Sequence, residues 1–308
     1  MHESQLETRQ IPKSKNVVPH GVLSPQDDRI KRVTLRFVNL QNRVVLVTGA
    51  SSGIGEATAR HLARLGARVI LVARTKETLD KIVQEIQSAG GKACAMPCDL
   101  GDVNAVSKLA EDVQRDVGVP DALVLSAGAG RWLWLEETEP HEAQQMLASP
   151  FWASFWVARA FMPGMLERRA GRVVIVGSPV AWMPWPGATA YTASRFALRG
   201  LFESLRVDLV GTGVTVSMVV PGQVSSPYFT NNPGVLERAP RIATRLIPPV
   251  SVGEVAQAIE GTIRTGRAMT VLPWLVRVFF VVNVIAPGLV RWLLVSSGYR
   301  HQIANRKP

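Results

Sequence analysis

A tyrosine and an arginine stand one helical turn apart in the run Tyr191-Thr192-Ala193-Ser194-Arg195. A spacing of four puts both side chains on one face of a helix. A phenol beside a fixed positive charge is a proton donor and acceptor, because the cation favours the phenolate. Ser178, upstream of the tyrosine, adds a hydroxyl able to hold the oxygen on which such a proton is placed. Far upstream of all three lies a glycine-rich turn, Thr48-Gly49-Ala50-Ser51-Ser52-Gly53-Ile54-Gly55. It follows an apolar run and precedes a helical stretch, so backbone N–H groups gather at a helix N-terminus. There the unpaired donors and the helix dipole stabilise a pyrophosphate.

The elements that must position these groups follow from the pattern of the chain. Val44–Val47 is a continuous apolar run, as expected of a parallel strand covered on both faces. The glycine turn leads into a helix from about Glu56 to Leu65, stopped by Gly66. Strands are expected at Arg68–Ala73, Ala93–Pro97, Ala122–Ser126, Arg172–Val176 and Val214–Val220. Helices are expected at Lys76–Ser88, Asp102–Val117 and Ala188–Val210, with two helical stretches after Pro140 that meet at Pro150. Such strict alternation makes an α/β fold, a Rossmann-like doubly wound parallel sheet. The expected organisation is a loosely ordered arm over residues 1–41, one domain over 42–270, and an apolar, arginine-flanked tail over 271–308.

Composition narrows the function classes. Of 308 residues 47% are hydrophobic, enough for a full core and against a disordered chain. Cys94 and Cys98 share one short stretch, which points to two free core thiols and away from a disulfide framework. The five histidines show no ligand spacing, so no metal site is expected. The net charge of +11 lacks the interleaved stacking aromatics of a nucleic-acid binder, and no nucleic-acid partner is expected. Met1 to Gln41 is polar, without an apolar segment of the signal-peptide kind, and a cytoplasmic location is expected.

At the end of the second expected strand stands Ala73-Arg74, where NAD binders usually carry an acidic residue for the ribose hydroxyls. An arginine there pairs with a 2′-phosphate, so NADP(H) is favoured over NAD(H). Asp99, just past the third expected strand, is placed to accept from an adenine amine or to cap the next helix near Asp102.

Thr48-Gly49-x-x-x-Gly53-x-Gly55, Ser126-Ala127-Gly128, Ser178, Tyr191-x-x-x-Arg195 and Pro221-Gly222 together resemble the short-chain dehydrogenase/reductase pattern in order and spacing. The resemblance covers about Arg43 to Thr270. The stretch Val72 to Leu79 is most similar to the NADP-preferring, 11β-hydroxysteroid-dehydrogenase-like members. It implies an oxidoreductase that interconverts a carbonyl and an alcohol by hydride transfer. Tyr191 would be the acid/base, Ser178 would hold the substrate oxygen, and Arg195 would tune the phenol. It also implies cofactor contacts from Gly49, Ser51, Ser52, Gly53, Ile54, Gly55, Arg74, Asp99, Leu100, Ser126, Ala127, Gly128, Tyr191, Arg195, Pro221, Gly222, Val224 and Ser226. A homo-oligomer is the expected assembly.

Three positions depart from the family pattern. Arg195 replaces a lysine, keeping the charge but unable to give up its proton. Pro150 falls where the family carries a helix asparagine, and proline has no side-chain donor and no N–H. Ser126 stands where an asparagine usually closes the fourth strand. These departures leave a second reading open, a cofactor-binding homologue with impaired catalysis and a regulatory or structural role.

On the substrate side, Trp132 and Trp134 follow the fourth expected strand, and Trp182 and Trp185 follow Ser178. Large rings near the ligand crevice point to a lipid, steroid-like or aromatic substrate, contacted by Ser178, Trp182, Trp185 and Tyr191, or to a packing cluster or subunit contact. Asn231 to Ile247 reads as a lid over that site. Beyond Val271 the chain is very apolar, interrupted by Arg277, Arg291 and Pro287-Gly288, with no acidic residue after Glu260. A pair of helices dipping into a membrane surface is expected, with a tail folded over the pocket or against a dimer partner as the alternative.

Overall fold

The computed structural model describes residues 39–298 apart from 129 and 233. The expected arm falls outside the described residues except for Asn39, Leu40 and Gln41. The end of the tail, from residue 299 onward, also lies outside them.

Seven parallel strands form the sheet: β1 (Val44–Thr48), β2 (Arg68–Ala73), β3 (Lys92–Pro97), β4 (Ala122–Leu125), β5 (Gly171–Val176), β6 (Val214–Pro221) and, after two short strands, β9 (Met269–Leu272). The short pair, β7 (Val224–Ser225) and β8 (Val250–Ser251), makes its own parallel ribbon. The sheet order is β3-β2-β1-β4-β5-β6-β9, so the strand sequence reverses between β1 and β4. Ligand crevices form at such a switch point, outside the carboxyl ends of the strands.

Successive β1 side chains face opposite layers. Val44 and Leu46 join the core under one helical layer, and Val45 and Val47 join the other. The first layer holds α3 (Val103–Asp116), α5 (Ala153–Glu167) and α6 (Thr189–Asp208), contributing Leu109, Phe161 and Phe202. The second holds α1 (Gly53–Arg64), α2 (Lys76–Ser88) and α10 (Val252–Thr265), contributing Leu62, Leu79 and Ile259. Between β4 and α5 runs α4 (Pro140–Leu147). Between β6 and β8 lie three short helices, α7 (Tyr228–Asn231), α8 (Val235–Arg238) and α9 (Arg241–Leu246). The chain closes with α11 (Trp274–Ile285) and α12 (Pro287–Ser297).

The doubly wound parallel sheet agrees with the sequence reading, and most element ends shift by one to three residues. Helix α1 starts at Gly53, not Glu56, taking in the last residues of the glycine turn. Two elements carried signals that the sequence reading passed over. Helix α10 opens on a capping box in which Ser251 and Glu254 satisfy each other's N–H groups, and it ends on Gly266 at φ 66°. Strand β9 is short and lies on the sheet edge. Cys94 and Cys98 are free thiols.

Candidate active site

A cavity of about 840 Å³ opens along the carboxyl ends of the strands. Its floor is the turn from β1 into α1. A Cβ on Gly49 would lie 2.8 Å from Cα of Ala127, and one on Gly55 would lie 2.2 Å from the Gly49 carbonyl oxygen. Turn, helix and the end of β4 therefore pack more closely than any side chain allows. Thr48 ties them together: its hydroxyl accepts from the N–H of Ser126 at 3.0 Å and of Ala127 at 3.2 Å. The Ser126 hydroxyl donates back to the Thr48 carbonyl. Serine thus does the closing of β4 onto β1 at the position where the family pattern has asparagine. Ser52 precedes α1 without a side-chain cap bond, which leaves the first-turn N–H groups of the helix for an anion in the cavity that Gly53, Ile54 and Gly55 line.

Further out, Arg74 stands exposed just past β2 and has no ion-pair partner among the described residues. Across from it Asp99 accepts from the Gly101 N–H at 3.0 Å, while Asp102 is the residue that caps α3, accepting from the Asn104 N–H at 2.8 Å. Asp99 also lines the cavity, with Leu100 and Cys98 beside it. Burial pushes the Cys98 thiol up to about 11, helped by the negative charges of Asp99 and Asp102.

At the other end, β5 delivers Ser178 to the start of a short turn, and α6 carries Tyr191 and Arg195 into the same cavity. The guanidinium of Arg195 lies over the Tyr191 ring, 4.7 Å from its centroid, and is only 8% exposed. Gly128 makes the space for it: a Cβ there would stand 3.1 Å from Nη2 of Arg195. Arg195 Nε is buried with no hydrogen-bond partner, and a buried unpaired donor is costly unless a ligand meets it.

Pro150 proves to be off the cavity. It is buried in a π-helical turn, Ala148–Trp152, that joins α4 to α5. Ser149 before it is forced out of helical geometry, with φ −136° and ψ 110°, as the residue before a proline usually is. Ala148 and Ser149, just before the proline, line the cavity instead.

Every residue read from the sequence as a cofactor contact lines this one cavity. Of the substrate residues, Ser178, Trp185 and Tyr191 line it. Trp182 does not: its ring is held between Arg199, at 4.7 Å, and Phe280, stacked at 4.9 Å, and its carbonyl accepts from Asn283. It packs the tail against the body. Trp132 does line the cavity, edge-on to Trp185 at 5.2 Å and 5.8 Å from the Tyr191 ring.

One contribution had no reading in the sequence, and a second was expected only as an alternative. Tyr228, on α7, donates its phenol to the Gly130 carbonyl at 2.7 Å and reaches Tyr191. Burial, and then the neighbouring charge of Tyr191, push its pKa well above the ordinary tyrosine value, against the pull of Arg195. The tail supplies the second. Val276 and Phe279 of α11 and Leu294 of α12 form part of the cavity wall, beside Leu236, Ala239 and Ile242 from the expected lid.

The family model of the short chain dehydrogenases matches residues 43–233. An 11-beta-hydroxysteroid dehydrogenase-like 2 protein of Arabidopsis thaliana is 31% identical over 262 residues, 84% of this chain and 83% of that protein. A metagenomic short-chain oxidoreductase solved in complex with NADP superposes with a TM-score of 0.64 at 32% identity, covering 76% of this chain and 98% of that one. An NADPH-bound short chain oxidoreductase from Pseudomonas aeruginosa, described as containing an atypical catalytic center, superposes with a TM-score of 0.67 at 28% identity, covering 75% and 96%.

Proposed function

The chain belongs to the short chain dehydrogenase family, and on that premise we propose that it interconverts a carbonyl and an alcohol on an apolar substrate, using NADP(H). The observation that carries this reading is that Ser178, Tyr191 and Arg195 line the same cavity as the glycine turn.

The cavity suits a dinucleotide on three counts. Gly49 and Gly55 leave a cradle that a Cβ would fill, α1 begins without a side-chain cap, and Arg195 Nε lacks a partner. Gly53, Ile54 and Gly55 would hold the pyrophosphate, and Arg195 with Pro221, Gly222, Val224 and Ser226 the nicotinamide end. Arg74 supports NADP(H) over NAD(H), being an exposed guanidinium at the β2 end with no carboxylate paired to it among the described residues. When bound, the nicotinamide supplies or accepts the hydride.

The rest falls to side chains of this chain. Ser178 holds the substrate oxygen, and Tyr191 gives that oxygen a proton in reduction or takes one in oxidation. Arg195 keeps a positive charge against the Tyr191 ring throughout, since a guanidinium stays protonated. Trp132, Trp185, Leu236 and Phe279 exclude water from the site and favour an apolar carbon skeleton. Purified protein is expected to consume NADPH with a panel of aromatic and alicyclic ketones, and far less with small polar ones. Binding of NADPH without turnover of any carbonyl or alcohol would favour the cofactor-binding, catalytically impaired reading instead.

A further inference from the structure

Helices α11 and α12 are apolar on two sides. Inward, Val276 and Leu294 are buried and Phe280 stacks on Trp182. Outward, Val284 is 81% exposed, Ile285 77%, Trp274 67% and Trp292 64%, with Val281, Leu289 and Val295 also exposed. On α11 the outward residues recur at 274, 278, 281, 284 and 285, a single stripe at helical spacing. A helix apolar all round belongs in a core or against an apolar phase, and here the protein covers only one side. The charges next to the stripe have one sign. Arg277 and Arg291 are exposed on these helices, Arg267 precedes them, and no acidic residue follows Glu260. No helix among the described residues is long and apolar enough to cross a membrane.

We propose that the outward face of the α11–α12 hairpin docks on an anionic phospholipid bilayer, lying in the interface with its arginines among the headgroups. Apolar rings and branched side chains enter the acyl boundary, tryptophans sit at headgroup depth, and guanidinium groups meet lipid phosphates. A second copy of the chain would bring the same arginines against each other, which disfavours a symmetric dimer through this face. Resting on the activity proposed above, the docking has a use: the inner side of the same two helices lines the cavity, one helical layer from lipid-dissolved substrate.

The test is co-sedimentation of the full chain with vesicles of phosphatidylcholine alone or with a third phosphatidylglycerol. No turnover is needed, so failure of the activity leaves this test intact. The protein is expected to pellet with the anionic vesicles only, and progressively less as salt is raised. Val284→Glu should abolish pelleting, and Trp292→Ser serves as a second variant should the first fail to fold by circular dichroism. Arg277→Ala with Arg291→Ala should weaken binding roughly 30-fold, about fivefold for each basic residue. Wild-type protein that stays soluble with both vesicles, or pellets equally with both, overturns the proposal. So does a folded Val284→Glu variant that binds as wild type. A dimer that Val284→Glu splits to monomers, with no vesicle binding, assigns the face to a second copy instead.

Discussion

The guanidinium of Arg195 lies over the Tyr191 ring, 4.7 Å from its centroid, and a Cβ on Gly128 would come within 3.1 Å of the guanidinium Nη2. The arginine that replaces the family's lysine thus uses room left by a glycine that the family pattern already carries. The cation stays against the phenol at the cost of a bulkier, planar group, and the site accommodates it without displacing Tyr191 from the cavity.

The two positions should therefore be coupled. Gly128→Ala alone is expected to lower kcat/KM about tenfold by pushing the guanidinium off the ring, and to cost much less in an Arg195→Lys background. Steady-state kinetics of the four proteins in the cycle measure this. Equal losses in both backgrounds would mean that Gly128 does not serve Arg195.

Tyr228 presents a second phenol to Tyr191, and its raised pKa keeps it protonated through the working range. Tyr228→Phe removes the hydrogen bond to the Gly130 carbonyl and the hydroxyl beside Tyr191, and is expected to lower kcat about tenfold while leaving NADPH affinity unchanged. Because the Tyr228 pKa is pushed up, its ionisation should contribute no step to the profile of kcat/KM between about pH 6 and 9, so the two profiles should have the same shape.

On the proposed reading, Arg74 sets the preference for NADPH over NADH. Arg74→Glu should reverse it, weakening NADPH by about 10- to 100-fold, as expected for a lost charge-assisted contact, with little loss of NADH. Titration of both cofactors against intrinsic tryptophan fluorescence reads this out. An unchanged ratio would remove Arg74 from the site.

Cys98 is a buried thiol with its pKa pushed up to about 11, and Cys94 is raised in the same direction by burial. Folded protein at pH 8 should react with a disulfide reagent slowly, and unfolded protein rapidly. The linkage has a sign. The raised pKa gives stability that is fully present below the unfolded value, near 9, and is lost as pH rises through about 11. Rapid labelling of the native protein would show that Cys98 is accessible.

Much of the site could be read from the chain because its signals are local. The glycine turn, the strand before it and the four-residue spacing of Tyr191 and Arg195 are each written in one short stretch. What could not be read depends on segments that meet only in three dimensions. Gly128 and Arg195 are far apart in sequence, and nothing near either announces the other. Tyr228 arrives from the long excursion after β6, whose path the pattern of residues does not specify. Trp182 and Trp185 lie in the same loop, yet one turns to the tail and the other to the cavity, a choice made by Phe280 and Arg199 packing on Trp182. The inner side of the tail covers the pocket, as the alternative expected, and its outer side leaves an exposed apolar face.

The proposed chemistry rests on Tyr191 as the proton donor and acceptor at a substrate oxygen in a nicotinamide-dependent reaction. Its most direct test compares wild type with Tyr191→Phe, following NADPH consumption with a reactive aromatic ketone and NADPH affinity in parallel. The phenylalanine variant is expected to bind NADPH as wild type does but to lose kcat by about 100-fold or more, the scale of general acid catalysis. Turnover in Tyr191→Phe equal to that of wild type would contradict it.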